Sequence, residues 1–434
     1  MESFGREDMY ICDELLEKIN KSDITKFLKE RGIKRTDDIR YIEDKKLLLE
    51  TLVSQEDITE ADVSELFYKK ILCGQQRLMR VYKLSEKCCG LLKNKSAWEK
   101  LLKRYSINAL HYDIMLQQFN YSDETSKLIY IKEIRKKLSI SRVDMIYVFK
   151  ILKYNRKLQR LESVNSYLPV TLDLENKELI IKVCNQTGLE ETSRPKVQLD
   201  VIFDEVEDML QIELEEHKIS PENILYDMSR DLFDKFYQQL PNIKMIEQKK
   251  SELGKVADIL LKGIELNYVS KDKEGLLRMD PGLIDLEDEL YKLLQQVALV
   301  DYLEKEKIET LLPKNEIYIS KIRFSDRDNL EASLTGENGL DCIYDKKTFM
   351  GIRNSLDIVK QIVAMKVIFP QARGNLQVKY EINDRRYMVV HILENKNYTM
   401  DEFKDAWELY KKYERQRTDK NMLGENERFK TTAM

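Results

Sequence analysis

The chain is poor in the residues that interrupt helices. Its 434 residues hold 14 Gly and 7 Pro. That scarcity, with 42% apolar and 35% charged residues rich in Leu, Ile, Lys and Glu, predicts a mostly helical protein of two to four domains. Histidine is scarcer still: His111, His217 and His391 are the three. The cysteines (Cys12, Cys73, Cys88, Cys89, Cys184, Cys342) form no Cys-x-x-Cys, and the adjacent Cys88-Cys89 makes a poor disulfide and a poor metal clamp. A zinc site therefore has little to draw on, and reduced thiols are the default. No apolar run approaches the ~20 residues of a membrane span, and MESFGREDMYICDELLEK lacks a signal-peptide core. The expected location is the cytoplasm, or the nucleus in a eukaryote, with no membrane partner. There is no GxxxxGK[ST], no GxGxxG and no supported Ser/His/Asp or Cys/His set, so neither a cofactor nor catalysis is expected.

What the chain does have is a basic stretch, Leu128 to Leu161, LIYIKEIRKKLSISRVDMIYVFKILKYNRKLQRL. Ile131, Ile134 and Leu138, then Met145, Val148, Phe149 and Leu152, fall at helical spacings on either side of Ser139-Ile140-Ser141. Ser141 suits an N-cap. This resembles the bacterial helix-turn-helix, although Ser139 stands where that family has Gly and Arg135 where it has a small residue. The resemblance implies that Arg142 and Tyr147 reach base edges while the other cations hold phosphates. Residues 127–160 carry eleven Lys/Arg against two acids, a balance of +9 in a chain of net charge −4. A polyanion would relieve that repulsion by counterion release. The candidate nucleic-acid-binding residues are Lys103, Arg104, Lys132, Arg135, Lys136, Lys137, Arg142, Tyr147, Lys150, Lys153, Arg156, Lys157 and Arg160.

Residues 1–68 read as a small helical bundle with a balance of −7. SDITKFLKERGIK followed by DKKLLLETLV resembles the SAP module, a small DNA- or scaffold-binding helix pair. DITKFLKERGI followed by ITEADVSELFYKK also resembles the pyrin-like N-terminal domain of centromere protein N, a DNA- and nucleosome-binding kinetochore subunit. The second resemblance implies a β-rich domain directly behind. Residues 69–185 read instead as a basic helix-turn-helix-like region with a β-hairpin at 167–184. Within it LLKRYSINALHYDIMLQQF lines up with IRKKLSISRVDMIYVFKIL at an offset of 33, as two related units would. Trp98, Tyr105, Tyr112, Tyr121, Tyr130 and Tyr154 are interleaved with the cations.

Residues 197–312 read as helical, with twelve acids and three bases over 199–240. Residues 314–414 read as a C-terminal α/β domain, with a strand at 317–324, a helix at 347–365 and a hairpin at 376–393. Residues 415–434 read as a disordered tail. The fold class expected is thus mainly α with a smaller α/β part. The function expected is a non-enzymatic nucleic-acid-binding adaptor, DNA favoured, in a DNA-processing, defence or segregation assembly. The N-terminal bundle and the C-terminal half would hold protein partners. The alternatives are a protein scaffold without nucleic acid and, last, a metal-dependent nuclease built on Asp200 and Glu216-His217-Lys218.

Overall fold

A computed structural model describes residues 9–33, 41–107, 110–117, 126–215, 219–262, 264, 269–271, 277–279, 285–307, 316–325, 331–371, 374–393 and 397–432. The chain divides into two units, residues 1–217 with 383–404 and residues 218–382 with 405–434.

The first unit opens with α1 (Asp13–Leu16), α2 (Lys21–Glu30), α3 (Lys45–Ser54) and α4 (Glu60–Ile71). Their ends are written in the sequence. Gly32 takes φ +73° behind α2, and the Ile33 N–H turns back to the Leu28 carbonyl at 3.0 Å. Asp44 caps α3 by accepting the Leu47 N–H at 2.8 Å. Thr59 and Asp62 cap α4 reciprocally, at 2.9 and 3.2 Å. Such caps contribute about 1 kcal/mol each.

Strands begin directly after this module, with β1 (Leu78–Lys83). Helices α5 (Glu86–Leu92) and α6 (Lys95–Lys103) follow, then β2 (Tyr112–Asp113), β3 (Ser126–Lys136), β4 (Ser139–Asn155), β5 (Arg160–Asp173), β6 (Glu178–Val183) and α7 (Pro195–Leu210). With β13 (Tyr387–Ile392) the strands lie in the order β13-β1-β6-β5-β4-β3-β2, each pair antiparallel. The sheet is buried on both faces. Ile129, Ile146, Val148 and Tyr167 share a core with Phe27, Leu49 and Phe67 of the N-terminal helices. Met145, Tyr147, Phe149 and Leu172 share another with Trp98 of α6 and Leu199 and Phe203 of α7. Each fully buried side chain of this kind contributes roughly 1.5–3 kcal/mol.

The second unit holds β7 (Val269–Lys271) and β8 (Leu277–Met279), paired with each other, and the strands β9 (Tyr318–Ser325), β10 (Glu331–Thr335), β11 (Ala364–Phe369) and β12 (Leu376–Asp384) in the order β10-β9-β11-β12. Its helices are α8 (Pro221–Tyr237), α9 (Ile243–Leu261), α10 (Leu286–Leu303), α11 (Lys347–Val359) and most of α12 (Met400–Thr432). Phe233 of α8, Tyr344 and Phe349 of α11 cluster with ring centroids 4.4–6.1 Å apart. The Tyr380 hydroxyl of β12 donates to the Ala406 carbonyl of α12 at 2.6 Å. The backbone of α12 stays helical to Thr432, through most of the stretch expected to be a tail.

The expectation of a mainly helical chain is overturned: among the described residues, seven strands in the first unit and four more antiparallel strands in the order β10-β9-β11-β12 carry much of the fold. The helix-turn-helix falls with it. Residues 126–155 are a β-hairpin, β3 and β4, registered from Ser126↔Phe149 to Lys136↔Ser139. Every residue from Val143 to Phe149 is buried. A strand covered on both faces presents a continuous apolar run, and any such run contains apolar residues at i, i+3 and i+4 by arithmetic alone. Ser141, read as an N-cap, lies in β4 and donates to the Ile134 carbonyl at 2.9 Å. The real turn, Lys137-Leu138, holds Lys137 at φ +58° without the Gly or Asn that marks a tight hairpin. Among its described residues the matched stretch at 101–119 holds the end of α6 and β2, where 134–152 belongs to the β3–β4 hairpin, so the two stretches do not share a fold. The acidic 199–240 region divides between α7 and α8, one in each unit. The hairpin at 167–184 is present, formed by β5 and β6.

Candidate nucleic-acid interface

The structure disperses the thirteen candidate residues. Lys103 ends α6 and Arg104 follows it, both exposed. Lys132 pairs with Glu65 at 2.5 Å and sits over the Tyr68 ring at 4.7 Å. Arg135 pairs with Glu133 at 2.9 Å and Lys136 with Glu175 at 3.1 Å, near the exposed Lys137 of the β3–β4 turn. The two residues assigned to base edges are unavailable for that role. Tyr147 is 3% exposed, its hydroxyl 3.9 Å from the Met209 sulfur, and burial pushes its pKa up. Arg142 donates to Asp144, itself fully buried, at 2.9 Å. Burial opposes the Arg142 charge, but the adjacent carboxylate more than offsets it and the pKa rises.

Lys150, Lys153, Arg156, Lys157 and Arg160 remain together. β3 reaches β4 only as far as Phe149, and β6 pairs with β5 only from Val170 to Asp173. Past those limits β4 and β5 continue as a pair of their own, from Lys150↔Asn165 to Asn155↔Arg160. With its turn this ribbon is roughly 20 Å long at ~3.3 Å per residue. Its length is supported along the β4 edge by a short companion: Tyr154 N–H donates to Gly188 O at 2.8 Å and Glu190 N–H to Leu152 O at 3.0 Å. That companion also removes a free strand edge.

The ribbon tip is ordered by one side chain. Asn155 Oδ1 accepts from the backbone N–H groups of Lys157 and Leu158, at 3.0 and 3.2 Å, an Asx turn. Asn155 Nδ2 donates across the strands to Glu162 at 2.7 Å. Arg156 and Lys157 thus project from a fixed turn, beside Tyr154, Leu158 and Leu161, which are 46%, 55% and 49% exposed. Arg160 has Glu162 at 3.4 Å in an exposed pair. Lys153, Arg156 and Lys157 form no ion pair among the described residues. From Lys150 to Leu161 the sequence holds five cations and no acid.

The two basic turns stand at opposite ends of β4. Lys136-Lys137 and Arg156-Lys157, all expected to hold phosphates, are separated by the strand Ser139–Asn155, roughly 50 Å at the usual rise. The interleaved aromatics also part: Trp98 and Tyr130 are core and Tyr154 is at the ribbon, while Tyr121 lies outside the described residues. The ribbon had a sequence signal, the acid-free basic run bracketing Asn155, which the helical reading absorbed.

The nuclease set does not assemble on strands. Asp200 lies in α7 and pairs with Arg80 at 2.5 Å; Glu216, His217 and Lys218 lie outside the described residues. Among the described residues no group of three His, Cys, Asp or Glu is placed to hold a metal ion, and no helix is long and apolar enough to cross a membrane. The chain matches no family model and no curated protein.

Proposed function

We propose that the chain is a non-enzymatic nucleic-acid-binding adaptor, with DNA as the favoured ligand, whose contact element is the β4–β5 ribbon rather than a recognition helix. The carrying observation is the ribbon tip: five cations against one acid, Glu162, on a turn fixed by Asn155, with exposed Tyr154, Leu158 and Leu161 among them. A two-stranded ribbon fits the ~12 Å major groove, cations release counterions there, and exposed apolar side chains can wedge between base steps. The N-terminal helices, with their acid excess, and the second unit are the parts that would hold protein partners in a DNA-processing, defence or segregation assembly.

Of the two family resemblances, the pyrin-like one is the reading we retain beside this proposal. It implies a β-rich domain directly behind the helical module, and β1 begins at Leu78 after α4 ends at Ile71. The SAP-like reading depends on the turn at 34–40, which lies outside the described residues. Filter binding of the full chain to duplex DNA at two salt concentrations separates the adaptor from a protein scaffold. The adaptor loses affinity steeply with added salt; absence of binding at the lower salt leaves the scaffold reading.

A further inference from the structure

The second unit contains a cavity of about 220 Å³ where α8, α9, α10 and α11 meet. Its charged lining is unequally satisfied. Lys292, buried on α10, takes Asp357 at 2.6 Å and Asp288 at 2.9 Å, so those two carboxylates already have their cation. Arg353 of α11 has only a longer carboxylate contact, shared with Arg230. It is 8% exposed and lies over the Tyr237 ring at 4.7 Å. Its one short hydrogen bond goes to a neutral acceptor, Gln295 Oε1, at 2.7 Å. The nearest carboxylate contact is Asp234 at 3.5 Å, and Asp234 is 3.9 Å from Arg230. Both exceed the ~2.7–2.9 Å of a charge-assisted hydrogen bond. Burial raises the Asp234 pKa despite both arginines. At the rim, Arg230 is exposed and Lys250 stands over the Tyr291 ring at 4.8 Å.

A buried guanidinium whose carboxylate contact is long and shared is costly unless something completes it, and its planar fork suits two oxygens of one anion. We propose that this cavity is a binding site for a small oxyanion, the phosphate or carboxylate group of a ligand of few heavy atoms. Arg353 forms its floor, and Arg230 and Lys250 close on the anion from the rim. Glu247 also lines the cavity and, with Asp234, disfavours highly charged anions. The site lies wholly within the second unit and does not depend on nucleic-acid binding by the first.

The test is isothermal titration of the full chain with inorganic phosphate, and separately with acetate, at constant ionic strength set by chloride. Saturable binding of one equivalent is expected. Arg230→Gln and Lys250→Gln, both at exposed positions and so compatible with folding, should each raise Kd at least tenfold. Phosphate binding without acetate binding assigns the site to tetrahedral anions; binding of both assigns it to carboxylates as well. No saturable binding by either ion, or a Kd that both substitutions leave within twofold, overturns the proposal.

Discussion

The Tyr68 hydroxyl donates to the Asp144 carboxylate at 2.6 Å, tying the last helix of the N-terminal module to the middle of β4. Thr171 of β5 donates to the other oxygen at 2.7 Å, and Arg142 shares it at 2.9 Å. A fully buried carboxylate is tolerable because three donors surround it. Arg142 is therefore a member of an interior network, not a reader of bases. Tyr68→Phe leaves Asp144 one donor short and should cost about 1–3 kcal/mol in urea unfolding.

Arg142→Ala removes the charged partner of the same buried carboxylate. The arginine side chain is 27% exposed, so the cost belongs at the low end for a broken buried pair, about 3 kcal/mol. Its signature is loss of stability with the DNA sequence preference unchanged. A changed preference at unchanged stability would return Arg142 to the interface.

Lys182 on β6 is enclosed, with its ammonium 2.8 Å from the Leu72 carbonyl and 4.8 Å from the Phe403 ring centre. Burial lowers its pKa to about 8. The unfolded chain holds this proton more tightly, so the folded state is penalised at pH values below 8 and recovers between pH 8 and the unfolded value of 10.5. The swing is about 3 kcal/mol. Above about pH 10 the buried tyrosines, held protonated by the fold, work in the opposite direction. Stability of the wild type relative to Lys182→Met, followed by urea midpoint from pH 7 to 10, should therefore rise with pH; parallel curves would mean that the ammonium is not desolvated.

Lys137 sits at φ +58° in the β3–β4 turn, where a side chain meets its own backbone. Lys137→Gly should stabilise by up to about 1 kcal/mol and, if the ribbon at the other end of β4 is the contact element, leave DNA affinity nearly unchanged. A large loss of affinity in this variant would show that both turns engage the ligand.

Local signals were legible in the sequence and the identity of the long central strands was not. Gly32, Asp44 and Thr59 mark helix ends by side-chain chemistry that needs no tertiary partner, and α2, α3 and α4 follow them. The β5–β6 hairpin was readable because Glu175–Lys177 is polar and the flanks alternate. β4 failed that test, because helices cover it on both faces and its alternation disappears. Two of its turn positions, Lys137 and Gln159, adopt positive φ without Gly or Asn, so no residue announced the bends. The site followed the same pattern. The basic run was visible, but which cations it would spend on Glu65, Glu133, Asp144 and Glu175 depended on contacts across strands and layers.

The most direct measurement is the salt dependence of duplex DNA binding by the full chain and by a variant with Lys153, Arg156, Lys157 and Arg160 all changed to Ala. Each phosphate contact contributes close to one unit to the slope of log K against log salt. If the ribbon is the contact element, the slope should flatten by about 3–4 units and affinity should fall on every sequence. The matching change of Lys103, Arg104, Lys136 and Lys137 should do far less. An unchanged slope and affinity in the ribbon variant, with wild-type unfolding, would contradict the ribbon as the nucleic-acid interface.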